Sequence, residues 1–332
     1  MDRRTFLASG TAAAASAALA PTSCRTTSVG SADVARARAG LATLDALDDH
    51  RGGHTELERA ALAGADHTLA LQQGSASERV RSRLFGIAAD YTAAAAWSAI
   101  DARDQERAQL HLDRCLVLAG LARDPIAQVR VWNSVAMLAH QRGRHAEALA
   151  AAKAAQATGA GRRDPLFASL ARARAAVAHS GLGDRQAAQR SLGHACDALA
   201  RAEDRHTARP SWVAFYGGAE LWALHSIVHL QLDEPQLAEA YSHQALAQLP
   251  GRFARNRAMA TARLALAQLG QGEAEHAAAT GSRVFQLMAG APLPGRMRTL
   301  LGDLHRGLLT LAPTSPAARE WADRHRDDWS RS

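Results

Sequence analysis

Apolar residues recur along most of the chain at spacings of three and four, the period of an α-helix with one buried face. This pattern predicts helices over 33–49 and 55–73 near the start, and closing helices over 296–311 and 315–329 near the end. Runs of β-branched residues are scarce, and aromatic residues make up only 5% of the sequence, which argues against an all-β fold. We therefore expect an all-α protein.

A unit of forty to fifty residues repeats within the chain. Small residues recur at steps of 40, 40, 50 and 39 residues: Ala108, Ala148, Ala188, Ala238 and Ala277. Seven residues after each come Cys115, Ala155, Ala195, Ala245 and Val284. Five residues before each come Arg103, Gly143, Gly183, Asp233 and Gly272. We expect the small residues where two helices touch, and the earlier set in the turns where the chain reverses.

The best copy of this unit reads Trp132, Ala136, Gly143, Ala148 and Ala155. It resembles the tetratricopeptide repeat (TPR), although the step here exceeds the roughly 34 residues of that repeat. The resemblance implies a TPR-like α-solenoid of about six antiparallel helix hairpins over residues 33–332.

Four further segments resemble one family of proteins. They read LDALDDHRGGH at 44–54, AAAWSAID at 94–101, PSWVAFYGGAEL at 210–221 and RAMATARLALAQL at 257–269. Together they look like the C-terminal TPR half of Xre-like helix-turn-helix transcriptional regulators of high-GC bacteria. The resemblance implies a regulatory module, here without the DNA-binding domain that precedes the repeats in that family.

Residues 1–32 read as a twin-arginine-like signal, or a disordered segment, followed by a linker. Arg3 and Arg4 precede an Ala-rich stretch, and Cys24 stands where a lipoprotein carries its lipid. Pro21 departs from the lipobox pattern, so a cytoplasmic protein with an uncleaved N-terminus is the alternative. The motif begins at Met1, which favours export and makes Cys24 the one expected route to a membrane.

The charge pattern does not favour nucleic acid as a partner. The formal net charge is +7, from 39 basic and 32 acidic residues, and a general affinity for polyanions follows from such an excess. However, the arginines are scattered among the acids, without the clustered basic face that nucleic-acid binding needs. A regulator that contacts DNA through these arginines is therefore a minor alternative.

Sequence motifs of catalysis are absent. The chain contains no Gly-rich phosphate loop, no dinucleotide-binding fingerprint and no nucleophile elbow. His225 and His229 are four residues apart, with Glu220 upstream, which is a spacing that can bind zinc. The pair lacks the inner Glu of the metalloprotease motif and an evident further ligand. We therefore expect no cofactor, no metal and no enzyme activity, with a zinc-dependent enzyme as the alternative.

The repeat register predicts which residues face the inside of the solenoid. The candidate binding residues of this inner face are Trp97, Asp101, Arg130, Asn133, Met137, His140, Glu220 and Ile227. The face is polar early and apolar late, which suits an amphipathic helix or an extended segment with apolar anchors. We accordingly expect a protein or peptide partner, or a signal molecule, and consider a homodimer as a further arrangement.

Overall fold

The computed structural model describes residues 27–51, 55–203, 208–289 and 291–330. These residues form fifteen α-helices and two short 3₁₀ helices, and within these ranges there is no strand, only an isolated bridge between Ser28 and Ser75. The expected all-α class is confirmed. Arg3, Arg4 and Cys24 of the predicted signal lie outside the described residues.

The helices follow one another with short joints. They are α1 Ser31–Arg51, α2 Thr55–Ala70, α3 Glu78–Ala102, α4 Gln105–Ala122, α5 Pro125–Gln141, α6 His145–Ala157, α7 Gly159–Arg163, α8 Pro165–Gly181, α9 Arg185–Glu203, α10 Gly218–Gln231, α11 Pro235–Gln248, α12 Ala254–Gly270, α13 Ala274–Leu287, α14 Gly295–Leu311 and α15 Pro316–Ser330. The 3₁₀ helices are Leu71–Gln73 and Ser211–Val213. No helix in the described part of the chain is long and apolar enough to cross a membrane.

The five predicted turn residues all adopt the left-handed backbone conformation that ends a helix. Their φ angles are 63° at Arg103, 70° at Gly143, 75° at Gly183, 58° at Asp233 and 84° at Gly272. A residue at positive φ lets the last carbonyls of a helix find backbone donors while the chain turns back. The turn positions read from the sequence are therefore confirmed.

Aspartates cap the helices that follow several of these turns. Asp104 Oδ1 accepts from Arg107 N at 3.0 Å, and Asp184 Oδ1 accepts from Ala187 N at 2.9 Å. Asp124 and Asp164 do the same before α5 and α8, each followed by a proline in the first turn. These caps satisfy helix donors that have no partner inside the helix.

The repeated small residues lie where paired helices cross. All ten are buried, with at most 2% of their surface exposed, and the five alanines that define the repeat belong to α4, α6, α9, α11 and α13. Each of these helices packs against its predecessor: α4 on α3, α6 on α5, α9 on α8, α11 on α10 and α13 on α12. The core is accordingly a series of apolar clusters between helix pairs, centred on residues such as Leu112, Leu170 and Leu304.

The two ends of the helix stack approach each other. Helix α1 packs against α3, α12 and the Ser211–Val213 segment, and α14 packs against α3 as well as α12. At the start of α14, a Cβ atom on Gly295 would collide with the carbonyl oxygen of Ala102 at the end of α3. The inner side of the stack is therefore enclosed by the chain's own first and late helices.

Ala148→Leu tests the helix crossings directly. Ala148 is 2% exposed between α5 and α6, so three extra carbon atoms force an overpacked crossing. We expect a loss of about 1–3 kcal/mol in the free energy of unfolding, measured by urea denaturation. Ala150→Leu, at an exposed position on the same helix, is the matched control. Equal unfolding midpoints for the two variants would contradict this packing.

Candidate binding cavity

A cavity lies at the centre of the enclosed inner side. Its wall comes from helices α1, α2, α3, α5, α8, α10, α12 and α14, together with Leu249 between α11 and α12 and the segment at 211–215. The volume of the cavity is about 100 Å³. The larger apolar side chains of the wall are Leu44, Leu57, Trp97, Met137, Trp212, Phe215, Leu224, Ile227, Leu249 and Met259. Its charged side chains are Asp45, Asp48, Arg130, Arg174, Glu220, Arg255, Arg263 and Arg296.

Six of the eight predicted binding residues line this cavity. They are Trp97, Arg130, Asn133, Met137, Glu220 and Ile227. The other two, Asp101 and His140, are not part of its wall. The repeat register thus brought together residues from α3, α5 and α10, which lie far apart in the sequence.

Asp101 is buried behind the wall, where it holds two arginines. It is 1% exposed, and its Oδ1 lies 2.6 Å from Nε of Arg296 on α14. Its Oδ2 lies 3.7 Å from Nη1 of Arg255 on α12, and that same Nη1 is 3.5 Å from Oδ2 of Asp48 on α1. Asp101 therefore does not line a groove as expected, because both oxygens are engaged in ion pairs between helices.

Arg130 joins α5 to α1 and α3 in a similar way. Its Nη2 donates to Oδ1 of Asp45 at 3.0 Å, and its Nη1 lies 3.4 Å from Oδ1 of Asp90. The hydroxyl of Ser211 donates to the other oxygen of Asp45. Burial raises the pKa of Asp90 to about 6, against the opposing effect of Arg130.

These ion pairs form two groups, which together we call the bridging network: Asp45, Arg130 and Asp90 in one, and Asp48, Arg255, Asp101 and Arg296 in the other. It connects α1, α3, α5, α12 and α14, and it contains four carboxylates and three guanidinium groups. Arg130 and Arg296 also lie over the rings of Trp212 and Trp97, at 5.5 and 5.2 Å from the ring centres. Such cation–π contacts fix both the arginines and the aromatic wall.

Arg174 and Arg263 reach the cavity outside this network. Arg174 on α8 donates from Nε to Oδ1 of Asn133 at 2.9 Å. Burial lowers the pKa of both arginines, and Glu220 opposes that effect. For Arg263 on α12 the pKa falls to about 10, with Arg296 and Arg174 adding to the effect of burial.

His140 lies near these arginines without lining the cavity. Its ring centre is 5.7 Å from that of His145, and its Nδ1 is buried without a hydrogen-bond partner among the described residues. Burial, followed by the charge of His145 and the surrounding arginines, lowers the pKa of His140 to about 4. His140 is therefore neutral at physiological pH, and its side chain is partly buried beside the cavity rather than part of its wall.

The proposed zinc ligands do not come together. Glu220 lines the cavity, whereas neither His225 nor His229 does. His229 Nδ1 lies 2.6 Å from Oε2 of Glu234, and the rings of both histidines pack on Tyr241. Across the part of the chain that the structure describes, no cluster of three His, Cys, Asp or Glu is placed to hold a metal ion.

The sequence contained a signal for the two arginines that the prediction missed. Fourteen residues before the five repeated alanines come Ala94, Ser134, Arg174, Leu224 and Arg263, and all five line the cavity. Applying the repeat register at this position would have selected Arg174 and Arg263. Asp45 and Asp48 carry no such signal, because α1 precedes the repeats.

Comparison with known proteins assigns no family to the chain. No family model matches it, and no curated protein matches it either. The resemblance to transcriptional regulators therefore depends on the segments at 44–54, 94–101, 210–221 and 257–269 alone.

The low pKa of His140 predicts part of the pH dependence of stability. The unfolded chain binds a proton at this residue below pH 6.5, whereas the folded chain does so only near pH 4. Stability should therefore fall as the pH falls from 6.5 towards 4, because the unfolded state binds more protons in that window. His140→Gln should flatten this slope in urea titrations at several pH values, whereas the exposed control His194→Gln should not. An unchanged slope in His140→Gln would contradict the lowered pKa of this imidazole.

Proposed function

We propose that this chain is a TPR-like helical-repeat module that binds a compact ligand in its central cavity and acts in regulation as a signal sensor. Support for the repeat comes from the turns at positive φ and the ten buried small residues, which recur with the same register. On this proposal the hairpins stack into an α-solenoid of about six units. The cavity, which is partly open to solvent, is the observation that carries the binding function.

The cavity combines features that are typical of small-molecule sites. Aromatic and aliphatic side chains such as Trp97, Ile227 and Met259 make up much of its wall, and a few charged groups converge on it. Binding sites for small molecules have this composition, with polar groups that fix the orientation of the ligand. The ion pairs behind the wall hold these groups in place before a ligand arrives, which lowers the entropic cost of binding.

The enclosure favours a compact ligand over a long peptide. Leu44, Asp45 and Asp48 of α1 form part of the cavity wall, and Trp212 and Phe215 close another part. The chain's own first helix thus occupies much of the inner face where we expected an amphipathic helix or extended segment from a partner. A small molecule, or one side chain of a peptide, fits the remaining space.

A regulatory role is supported by the resemblance to the TPR half of Xre-like regulators. Binding rather than catalysis is favoured because the histidines suggested for zinc chemistry, His225 and His229, contact Glu234 and Tyr241 away from the cavity. In a sensor, ligand binding would change the positions of the helices around the cavity, and so the outer surface that a partner protein contacts.

A protein partner on the outer surface is the second candidate function. Leu110, Val117 and Leu121 lie on α4 with 68, 64 and 54% of their surface exposed. Their spacing of seven and four residues places them along one side of the helix. A stripe of exposed leucine and valine is favourable for contact with another chain, including a second copy of this protein.

Filling the cavity should abolish ligand binding. We expect that a thermal-shift screen of metabolites against the full chain will yield compounds that raise Tm, since a ligand stabilises the state that binds it. Ala223→Phe, at a 5% exposed position in the wall, should remove that response by occupying the space.

Ala247→Phe, at an exposed position on α11, is the matched control and should keep the response. Two results would contradict the proposal: a screen in which no compound raises Tm, or compounds that stabilise Ala223→Phe as well as the parent chain. Circular dichroism on both variants shows whether the fold is retained.

A further inference from the structure

Two of the five arginines at the cavity stand outside the bridging network. Arg174 is 6% exposed, and its one hydrogen bond in the described part of the chain goes from Nε to Asn133. Arg263 makes neither a hydrogen bond nor an ion pair with any described residue, and no described carboxylate oxygen lies within 4.0 Å of either guanidinium. Both groups therefore have donors directed at the cavity without a protein acceptor.

The carboxylates of the wall do not balance these two charges. Asp45 is engaged by Arg130, and Asp48 by Arg255. Glu220 is the remaining acid of the wall, and it forms no ion pair with a described residue. One unpaired carboxylate thus faces two unpaired guanidinium groups, although the four carboxylates and three guanidinium groups of the bridging network bring the formal charge around the cavity to zero.

The surroundings weaken the hydration of these two groups, since Arg174 is buried and Arg263 is partly buried. Guanidinium groups that are removed from bulk water lose hydration, and an anion in the same space restores the lost interactions. The lowered pKa of Arg263 agrees with a cation that lacks a partner. A carboxylate or phosphate is the natural acceptor, because a guanidinium group donates two parallel hydrogen bonds to either.

The other walls of the cavity are apolar. Trp97, Met137, Ile227 and Met259 line it together with the two arginines. The accessible volume of about 100 Å³ is below the roughly 150 Å³ of a cavity that takes one benzene ring, so the buried part of a ligand is at most ring-sized. A ligand that satisfies both parts therefore carries a small apolar body and one anionic group.

We propose that Arg174 and Arg263 form an anion-binding subsite for a small organic acid, whose carboxylate or phosphate they bind while its ring-sized apolar body packs on Trp97 and Ile227. This inference rests on the proposed binding function and names the chemical class of the ligand. The two arginines occupy the same position in different repeat units, so the repeat itself directs both to the inner side.

Three matched probes test the subsite by titration calorimetry on the full chain: phenylpropionate, phenyl phosphate and the neutral phenylpropanol. We expect at least one of the two acids to bind ten or more times as tightly as the alcohol. Arg174→Met and Arg263→Met should each weaken that acid at least tenfold and leave the affinity for the alcohol within twofold. The preferred acid distinguishes a carboxylate from a phosphate ligand.

Arg172→Met is the control, since it removes the same charge from the same helix at a position outside the cavity wall. It should leave all affinities within twofold. Arg263→Lys keeps the charge and loses the paired donors, so it should weaken the acid less than Arg263→Met does. Should a methionine variant fail to fold, the lysine variant at that position tests the paired donors instead, and it should weaken the acid while leaving the affinity for the alcohol within twofold.

Equal affinity of the acids and the alcohol would overturn the anion subsite while leaving the cavity function intact. The same holds if the acids bind both methionine variants as tightly as the parent chain. If none of the three probes binds, the subsite is rejected, and the metabolite screen then decides separately whether the cavity binds any other ligand.

Discussion

The carboxylate of Asp101 is the interaction on which the arrangement of this protein depends. It lies at the end of α3, is 1% exposed, and holds arginines from α12 and α14 that are more than 150 residues away in the sequence. Through Arg255 it is connected to Asp48, and so to the first helix. A buried ion pair of this kind contributes little compared with apolar packing, yet removal of one partner costs about 3–5 kcal/mol. The network therefore specifies which helices meet rather than supplying most of the stability.

The packing of α1 and α14 against α3 and α12 turns the inner face of the helix stack into a cavity. Without α1 and α14 in place, residues such as Trp97 and Arg130 would face open solvent in a broad groove. With them in place, the same side chains surround a space of about 100 Å³. The network also divides the arginines into two groups, because those that hold helices together are paired and Arg174 and Arg263 are not. The same closure thus creates a confined site in which two guanidinium groups have no carboxylate partner among the described residues.

Local features of the fold were predictable from the sequence because they repeat. A turn residue such as Gly143 and a crossing residue such as Ala148 have the same physical role in each unit, so their spacing reveals them. The register also located Trp97, Met137 and Ile227 at the inner face. In contrast, pairs such as Asp48 with Arg255 join residues with no periodic relation, and nothing local distinguishes their charges from those of a solvated surface.

The site was predicted in part for the same reason. Asp101 was selected as a binding residue because its register position faces inward, but register carries no information on whether another helix covers it. Arg174 was missed although its position in the unit matches cavity residues, because the repeat register was not applied fourteen residues before the repeated alanines. The burial of Asp101 depends on contacts between distant segments, which a single sequence does not specify, whereas Arg174 was within reach of the repeat register.

A double-mutant cycle on Asp101 and Arg296 tests the closure most directly. The free energies of unfolding of the parent chain, Asp101→Asn, Arg296→Met and the double variant give the coupling between the two side chains. Contacting residues in a network couple by about 0.5–3 kcal/mol, and we predict at least about 1 kcal/mol for this buried pair. The exposed pair Asp303 and Arg306 provides the reference, with a coupling near zero. A coupling between Asp101 and Arg296 as small as that reference would contradict the closed arrangement.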